Sequence, residues 1–145
     1  MAKKTRKPKV PTVKPTKEYN GITFDSRLEL YCYKKLEEAK IDFRYVPITF
    51  EIVPSFTFNE DSYEEDKRVG KELVAKPKKI RNINYTPDFV GEDWIIETKG
   101  IKNESFPMRW KLFKKHLVDK GLKYKLFMPR NQSQVDQCIE MIKKE

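Results

Sequence analysis

The feature that most constrains the fold is a pair of apolar segments separated by a short turn. Residues 83–90 (INYTPDFV) and 94–98 (WIIET) are rich in β-branched and aromatic residues, and Gly91-Glu92-Asp93 lies between them. Runs of this composition bounded by turn residues are typical of strands, and so short a connection favours an antiparallel pair. The chain is therefore expected to contain a sheet that includes these two strands.

Charged residues stand at one end of this strand pair. Asp88 closes an otherwise apolar strand, and Glu97 and Lys99 follow Ile95 and Ile96. Residues i and i+2 of a strand face the same side, so Glu97 and Lys99 are expected to project together, with Ile96 and Thr98 pointing the other way. A tight turn after Val90 lets Asp88 lie across from Glu97. The pattern predicts two carboxylates and one ammonium at one end of the sheet.

Such a group has to be solvated, paired or bound to metal, because charges are costly to bury. Two carboxylates on rigid strands offer the hard oxygen ligands that suit Mg²⁺, and such an ion can polarise a phosphodiester. A neighbouring lysine can neutralise charge in the transition state. The other interpretation is an ordinary surface pair, Glu97 with Lys99, and a turn residue at Asp88.

The remaining pattern predicts the order α-β-(loop)-β-β-α-β-α. Ser26 and Glu29 form a capping box that begins a helix over about 26–39, and residues 43–53 are predicted to form a strand with a bulge or an edge at Pro47. Helical spacing and the cap at Gly121 predict a second helix, Lys111 to Lys120, with Trp110 and Phe113 as core residues. Residues 123–128 are predicted as a strand, and a last helix begins near Asn131 or Ser133.

The pattern P-D-x₈-E-x-K is complete here, from Pro87-Asp88 to Glu97-Thr98-Lys99. On this motif the chain resembles the PD-(D/E)XK nuclease superfamily. The stretch from Phe24 through Ser26 to Glu29, with Tyr85-Thr86-Pro87-Asp88-Phe89 and Glu97-Thr98-Lys99-Gly100, is similar to Holliday-junction resolvases of the phage endonuclease I type and to related small phage-encoded nucleases. The resemblance covers about residues 22–118. It implies an α/β fold with a restriction-endonuclease-like core, a mixed central sheet flanked by helices.

The resemblance also implies roles for individual residues. Asp88 and Glu97 would bind Mg²⁺ (or Mn²⁺), the backbone carbonyl of Thr98 would complete the site, and Lys99 would position the attacking water. Glu29 would approach a second metal position; the alternative for Glu29 is that it only closes the capping box.

The net charge of +9, from 31 Lys and Arg against 22 Asp and Glu, suggests a polyanionic partner. Prolines interrupt the basic N-terminus, so residues 1–18 are predicted to be a disordered basic arm. The helix ending at Lys120 is also predicted to carry a cationic face. The candidate nucleic-acid contacts are Lys3, Lys4, Arg6, Lys7, Arg109, Lys111, Lys114 and Lys115. A solubilising tail and a solvated helix face are the alternatives.

Residues 19–145 are predicted to form a single nuclease domain with a long insertion at about 54–82. An acidic cluster is followed there by a basic one, which fits a long hairpin or a partly mobile loop. The endonuclease I type has a shorter link at this place, so the insertion leaves the choice of substrate open.

Composition excludes several classes of protein. No stretch approaches the roughly 18–20 apolar residues of a membrane span, and two cysteines, Cys32 and Cys138, do not make a disulfide scaffold. A secretory signal is not apparent, so a cytoplasmic location is expected, in the host if the protein is phage-encoded. The single histidine, His116, is expected to be structural.

The leading hypothesis is a metal-dependent DNA endonuclease that hydrolyses phosphodiester bonds in branched DNA. A junction resolvase makes two symmetric cuts, which implies a homodimer. A flap or nonspecific nuclease is the alternative within this class, and a restriction-type enzyme or a transposase end-cutting subunit is less favoured. A non-enzymatic nucleic-acid-binding module is the alternative outside it.

Overall fold

A computed structural model describes residues 17–99 and 105–144. The three helices found there are α1 (Arg27–Glu38), α2 (Phe106–Asp119) and α3 (Gln132–Lys143). The strands are β1 (Glu18–Tyr19), β2 (Ile22–Thr23), β3 (Arg44–Tyr45), β4 (Phe50–Val53), β5 (Phe56–Thr57), β6 (Tyr63–Glu65), β7 (Leu73–Ala75), β8 (Lys79–Ile80), β9 (Ile83–Tyr85), β10 (Phe89–Val90), β11 (Trp94–Ile96) and β12 (Lys125–Phe127). The fold is a mixture of helices and sheets, as the sequence predicts.

Four strands form a mixed sheet in the order β12-β11-β10-β3. β10 pairs antiparallel with both β11 and β3, whereas β11 and β12 are parallel. The register pairs Phe89 with Ile96 and Val90 with Ile95, as expected for strands joined by a tight turn. Asp88 and Glu97 adjoin the last pair of this ladder, Asp88 directly before Phe89 and Glu97 directly after Ile96.

Helices cover both faces of this sheet. On one face, Phe89, Trp94 and Ile96 are buried against α1 and α3, whose contributions include Cys32 and Cys138. On the other face, Val90 and Ile95 are buried against the apolar side of α2 formed by Phe106, Trp110, Phe113 and Leu117. Strands buried on both faces are apolar at every position, which explains the continuous run of Trp94–Ile96.

The two predicted strands flanking the insertion continue into a long antiparallel hairpin. β4 pairs with β9, β5 with β8, and β6 with β7. At the root, the hydroxyls of Thr49 and Thr86 share a hydrogen bond of 2.7 Å, and the N–H of Val46 donates to the carbonyl of Asp88 at 2.8 Å. The hairpin alternative for residues 54–82 is therefore confirmed. Its first strand follows β3 along the chain, and its last strand leads into β10.

Several boundaries differ from the sequence predictions. The strand expected over 43–53 is divided into β3 and β4, because Val46 has φ 46° and Pro47 follows it. Helix α2 begins at Phe106, ahead of the predicted Lys111, since Pro107 is suited to a first helical turn. A small hairpin, β1–β2, was not predicted, and it gives Glu18 a place in the folded part. Lys17 also belongs there, because its carbonyl accepts from the N–H of Phe24 at 2.9 Å.

Helix α1 begins as its sequence predicts. Ser26 is the N-cap, and its hydroxyl accepts a hydrogen bond from the backbone N–H of Glu29 at 3.1 Å. A cap of this kind contributes about 1 kcal/mol to helix stability. None of the helices in the described ranges is both long enough and apolar enough to cross a membrane.

Candidate active site

Asp88 lies where β10 meets the root of the hairpin. Its Oδ2 accepts two hydrogen bonds from Thr98, one from the backbone N–H at 2.9 Å and one from the hydroxyl at 2.8 Å. Burial raises the pKa of the Asp88 carboxyl, while the Thr98 donors and the charge of Lys99 act against that rise. Thr98 thus orients Asp88 with its side chain and its amide, a role the sequence pattern did not assign.

Glu97 follows directly after β11 and is 9% exposed. Its Oε2 accepts a hydrogen bond of 2.8 Å from the hydroxyl of Tyr85. Burial is the main cause that raises the pKa of Glu97, and the negative charge of Asp88 raises it further. The backbone here is fixed by β12, since the N–H of Glu97 donates to Phe127 and that of Lys99 to Pro129, both at 2.9 Å.

Lys99 extends toward the beginning of α2. Its Nζ lies 3.8 Å from the centre of the Phe106 ring. The ammonium lowers the pKa of both Asp88 and Glu97 through its charge. Glu97 and Lys99 therefore both project toward the α2 face of the sheet, as strand alternation predicts.

Glu29 reaches the same end of the sheet from the first turn of α1. Its side chain is 8% exposed, and its Oε2 accepts a hydrogen bond of 2.7 Å from the hydroxyl of Tyr45. Burial raises the pKa of Glu29 to about 7, with a further contribution from the charge of Asp88. Glu29 therefore does more than belong to a capping box, because its carboxylate is buried beside a second acidic group.

Each of the three carboxylates has its own hydroxyl donor: Tyr45 for Glu29, Thr98 for Asp88 and Tyr85 for Glu97. Sequence reasoning missed both tyrosines. The available signal was their position on strands next to acidic residues, since a buried tyrosine hydroxyl usually finds a partner. Asp25, also missed, adds negative charge that raises the pKa of Glu29 and Asp88.

The donor set fits a divalent cation in its chemistry. Asp88 and Glu97 supply carboxylate oxygens, the ligands that Mg²⁺ prefers. Burial is the main cause that raises the pKa of both groups, neighbouring carboxylates raise it further, and Lys99 only partly offsets the rise. In residues 17–99 and 105–144, no three side chains of His, Cys, Asp or Glu are close enough together to hold one ion. A metal would therefore depend on two of the carboxylates at a time, with Asp88 and Glu97 as the candidate pair.

The other predicted contact residues fall outside this cluster. Lys3, Lys4, Arg6 and Lys7 lie outside the described residues. Arg109, Lys111, Lys114 and Lys115 are exposed on α2. Helical spacing sets the three lysines on one side and Arg109 on another, because residues two apart do not face each other. His116 packs edge-on against Phe50, with 6.1 Å between ring centres, in line with its predicted structural role.

Comparison with known proteins gives one match. Neither the curated proteins nor the solved structures contain a significant relative. A family model described as a protein of unknown function, DUF1064, matches residues 13–132, a range that includes the hairpin, Glu29, Asp88, Glu97 and Lys99. On this match, which spans most of its length, the chain belongs to the DUF1064 family.

Proposed function

We propose that this protein is a metal-dependent DNA endonuclease of the PD-(D/E)XK type, with a restriction-endonuclease-like core and a preference for branched DNA. The observation that carries the proposal is the half-buried carboxylate of Asp88 and the buried carboxylate of Glu97 at the end of two paired strands, with the charge of Lys99 acting on both. Glu29 adds a third carboxylate, also buried, from α1. Burying several carboxylates near one another is costly even with hydroxyl donors, so such a cluster favours a functional explanation.

The chain's own residues would divide the work as follows. Asp88 and Glu97 would hold Mg²⁺ or Mn²⁺, with the Thr98 carbonyl as a further oxygen ligand. When bound, the ion supplies Lewis-acid polarisation of the phosphodiester. Thr98 keeps the Asp88 carboxylate in place through two donors, and Tyr85 does the same for Glu97. Lys99, held over the Phe106 ring, would orient water and neutralise negative charge as it develops on the phosphate.

Branched DNA is the proposed substrate because the motif resembles that of junction resolvases, and a homodimer is proposed because resolving a junction needs two cuts. A flap or nonspecific nuclease remains the second candidate. The non-enzymatic binding module is disfavoured by the buried carboxylates, which binding to an anion does not require.

The test is cleavage of a labelled four-way junction, a flap, a linear duplex and a single strand, each with Mg²⁺, Mn²⁺ or EDTA. Asp88→Asn, Glu97→Gln and Lys99→Ala should lose activity by at least about 100-fold, in keeping with removal of metal and electrostatic groups. Asp136→Asn is the matched control, because this exposed aspartate also accepts a hydroxyl, from Tyr31 at 2.8 Å, but on the other side of α1. Cutting by wild type and Asp88→Asn alike would refute the enzyme, and equal cutting of duplex and junction would refute branch selectivity.

Metal binding can be measured independently of activity, by thermal unfolding. Mg²⁺ should raise the melting temperature of wild type, because a ligand that binds only the folded state stabilises it. The same addition should have no effect on an Asp88→Asn/Glu97→Gln variant. Sedimentation equilibrium tests the homodimer, and a monomeric mass at micromolar concentration would refute it.

A further inference from the structure

The hairpin between β3 and β10 divides by charge into two halves. Every acidic residue between positions 54 and 82 lies in the outer half: Glu60, Asp61, Glu64, Glu65, Asp66 and Glu72. From Lys76 to Tyr85 this side of the hairpin has only basic charges: Lys76, Lys78, Lys79 and Arg81. The facing strand β4 carries one acidic residue, Glu51, which pairs with Asn84 and accepts a hydrogen bond of 2.8 Å from the side chain of Asn82. The positive half is the one nearer to the carboxylates.

Two of the four cations in the inner half are engaged within the hairpin. Lys76 pairs with Asp66 and Lys78 with Asp61, each at 3.5 Å. Lys79 and Arg81 are exposed, and neither forms an ion pair with any residue of the described ranges. These two side chains are therefore available for an external anion.

Strand alternation fixes the side of the hairpin on which these two cations lie. The register pairs Lys79 with Thr57, and Ile80 with Phe56. Ile83 and Tyr85 share one side of β9, and this alternation, continued through Arg81 and Asn82 between β8 and β9, puts Lys79 and Arg81 on the side of Tyr85, whose hydroxyl contacts Glu97. The exposed apolar pair, Phe56 and Ile80, lies on the opposite side. Lys79 and Arg81 consequently extend the α2-facing side of the sheet, where Glu97 and Lys99 are found, outward along the hairpin.

We infer that the inner half of the hairpin binds the phosphate backbone of duplex DNA through Lys79 and Arg81. The inference rests on the proposed function, because the duplex it holds is the substrate of the same site. A strand rises about 3.3 Å per residue, so Arg81 and Lys79 lie up to about 23 and 30 Å from Asp88. At 3.4 Å per base pair this corresponds to about 7–9 base pairs from the reacting phosphate.

The acidic outer half has a consequence for how far the contact extends. The outer half has six acidic residues against the three cations Lys67, Arg68 and Lys71, so its net charge is negative and it attracts phosphates less than the inner half does. The contact would end near Lys76 and Lys78, whose charges Asp66 and Asp61 neutralise. The hairpin thus holds a limited length of duplex and reads no sequence, since phosphate contacts position a protein without specifying bases.

The experiment compares two charge-matched double variants of the full chain. Lys79→Gln/Arg81→Gln removes the inner cations, and Lys67→Gln/Lys71→Gln removes two exposed cations at the tip. Both carry Asp88→Asn, so that DNA is not cut. Binding to a labelled duplex of about two helical turns (~20 base pairs) is measured by anisotropy over a range of salt concentrations.

The slope of log affinity against log salt should fall by about 1–2 in the inner variant, because each phosphate contact contributes about 0.9. The tip variant should keep the slope of the parent. Equal slopes for the two variants would overturn the inference, and so would a slope reduced only by the tip variant.

Cleavage by the protein with Asp88 intact is assayed in parallel, so that the two proposals can fail separately. If no DNA is cut but the inner variant alone lowers the slope, the nuclease is refuted and the binding surface stands. If DNA is cut and the slopes are equal, the nuclease stands and the hairpin is not its contact.

Discussion

Replacing Glu29 by glutamine should make the protein more stable above neutral pH and leave it nearly unchanged in acid. The folded state raises the pKa of Glu29 from 4.5 to about 7, chiefly through burial and then through Asp88. Between these two values the folded state binds a proton that the unfolded state has released. The unfolding free energy therefore decreases as pH rises through this window. A glutamine carries no charge to bury, and its amide oxygen can still accept from Tyr45.

The magnitude follows from the shift. One pKa unit corresponds to about 1.36 kcal/mol, so a rise from 4.5 to about 7 sets a ceiling near 3 kcal/mol. This net rise already includes the opposing effect of the Tyr45 hydroxyl, which lowers the pKa. We therefore expect Glu29→Gln to gain about 1–3 kcal/mol at pH 8 relative to pH 5.

The assay is urea unfolding at pH 5 and pH 8, in the presence of a chelator so that no cation compensates the carboxylates. Glu37→Gln is the matched control: this residue is on the same helix and accepts a tyrosine hydroxyl, from Tyr19 at 2.6 Å, but it is exposed. It should follow wild type at both pH values. If the unfolding free energy of Glu29→Gln depended on pH as that of wild type does, the charge of Glu29 would not destabilise the folded state.

Three further substitutions test other parts of the structure. Tyr85→Phe removes the donor to Glu97, and a hydrogen bond to a charged group is worth about 1.5–3 kcal/mol. The proposed nuclease activity should therefore fall roughly 10- to 100-fold, while the circular dichroism spectrum stays that of wild type; full activity would refute the positioning role of Tyr85. Phe113→Ala opens the fully buried core under α2 and should lower the unfolding free energy by about 3–5 kcal/mol; a loss below about 1 kcal/mol in urea unfolding would contradict that packing. Gly91→Ala should destabilise the fold by about 1–3 kcal/mol in the same assay, since a Cβ there would overlap the Trp94 indole, and an unchanged midpoint would contradict the close approach.

The strand pair and the first helix could be predicted because their signals are local. The turn at residues 91–93 is so short that it fixes the register of the two strands, and with it brings Asp88 and Glu97 to the same end of the pair. The Ser26 cap likewise depends only on a neighbour three residues away. Such signals are complete within a few residues of sequence, so they need no knowledge of the rest of the fold.

The tyrosine donors could not be predicted from spacing. Tyr45 lies 16 residues from Glu29, and Tyr85 lies 12 residues from Glu97, so only the assembled sheet brings each pair together. The long hairpin was ambiguous for a different reason. Both of its faces are largely exposed, so its strands lack the alternation of buried and exposed residues by which a half-buried strand is recognised. Composition alone could not separate a hairpin from a loop there.

The length of the hairpin also bears on how the sheet assembles during folding. Tyr45 and Phe89 are cross-strand partners with 43 residues between them, which for an open loop is a costly closure. If the hairpin strands pair first, starting at the tip, only a short connector remains to be closed. The dependence of loop-closure free energy on loop length then lowers the cost of pairing Tyr45 with Phe89 by about 2 kcal/mol. Deleting residues in facing pairs should then be tolerated, whereas deleting one residue from a single strand would shift the register and turn Asp88 to the wrong face.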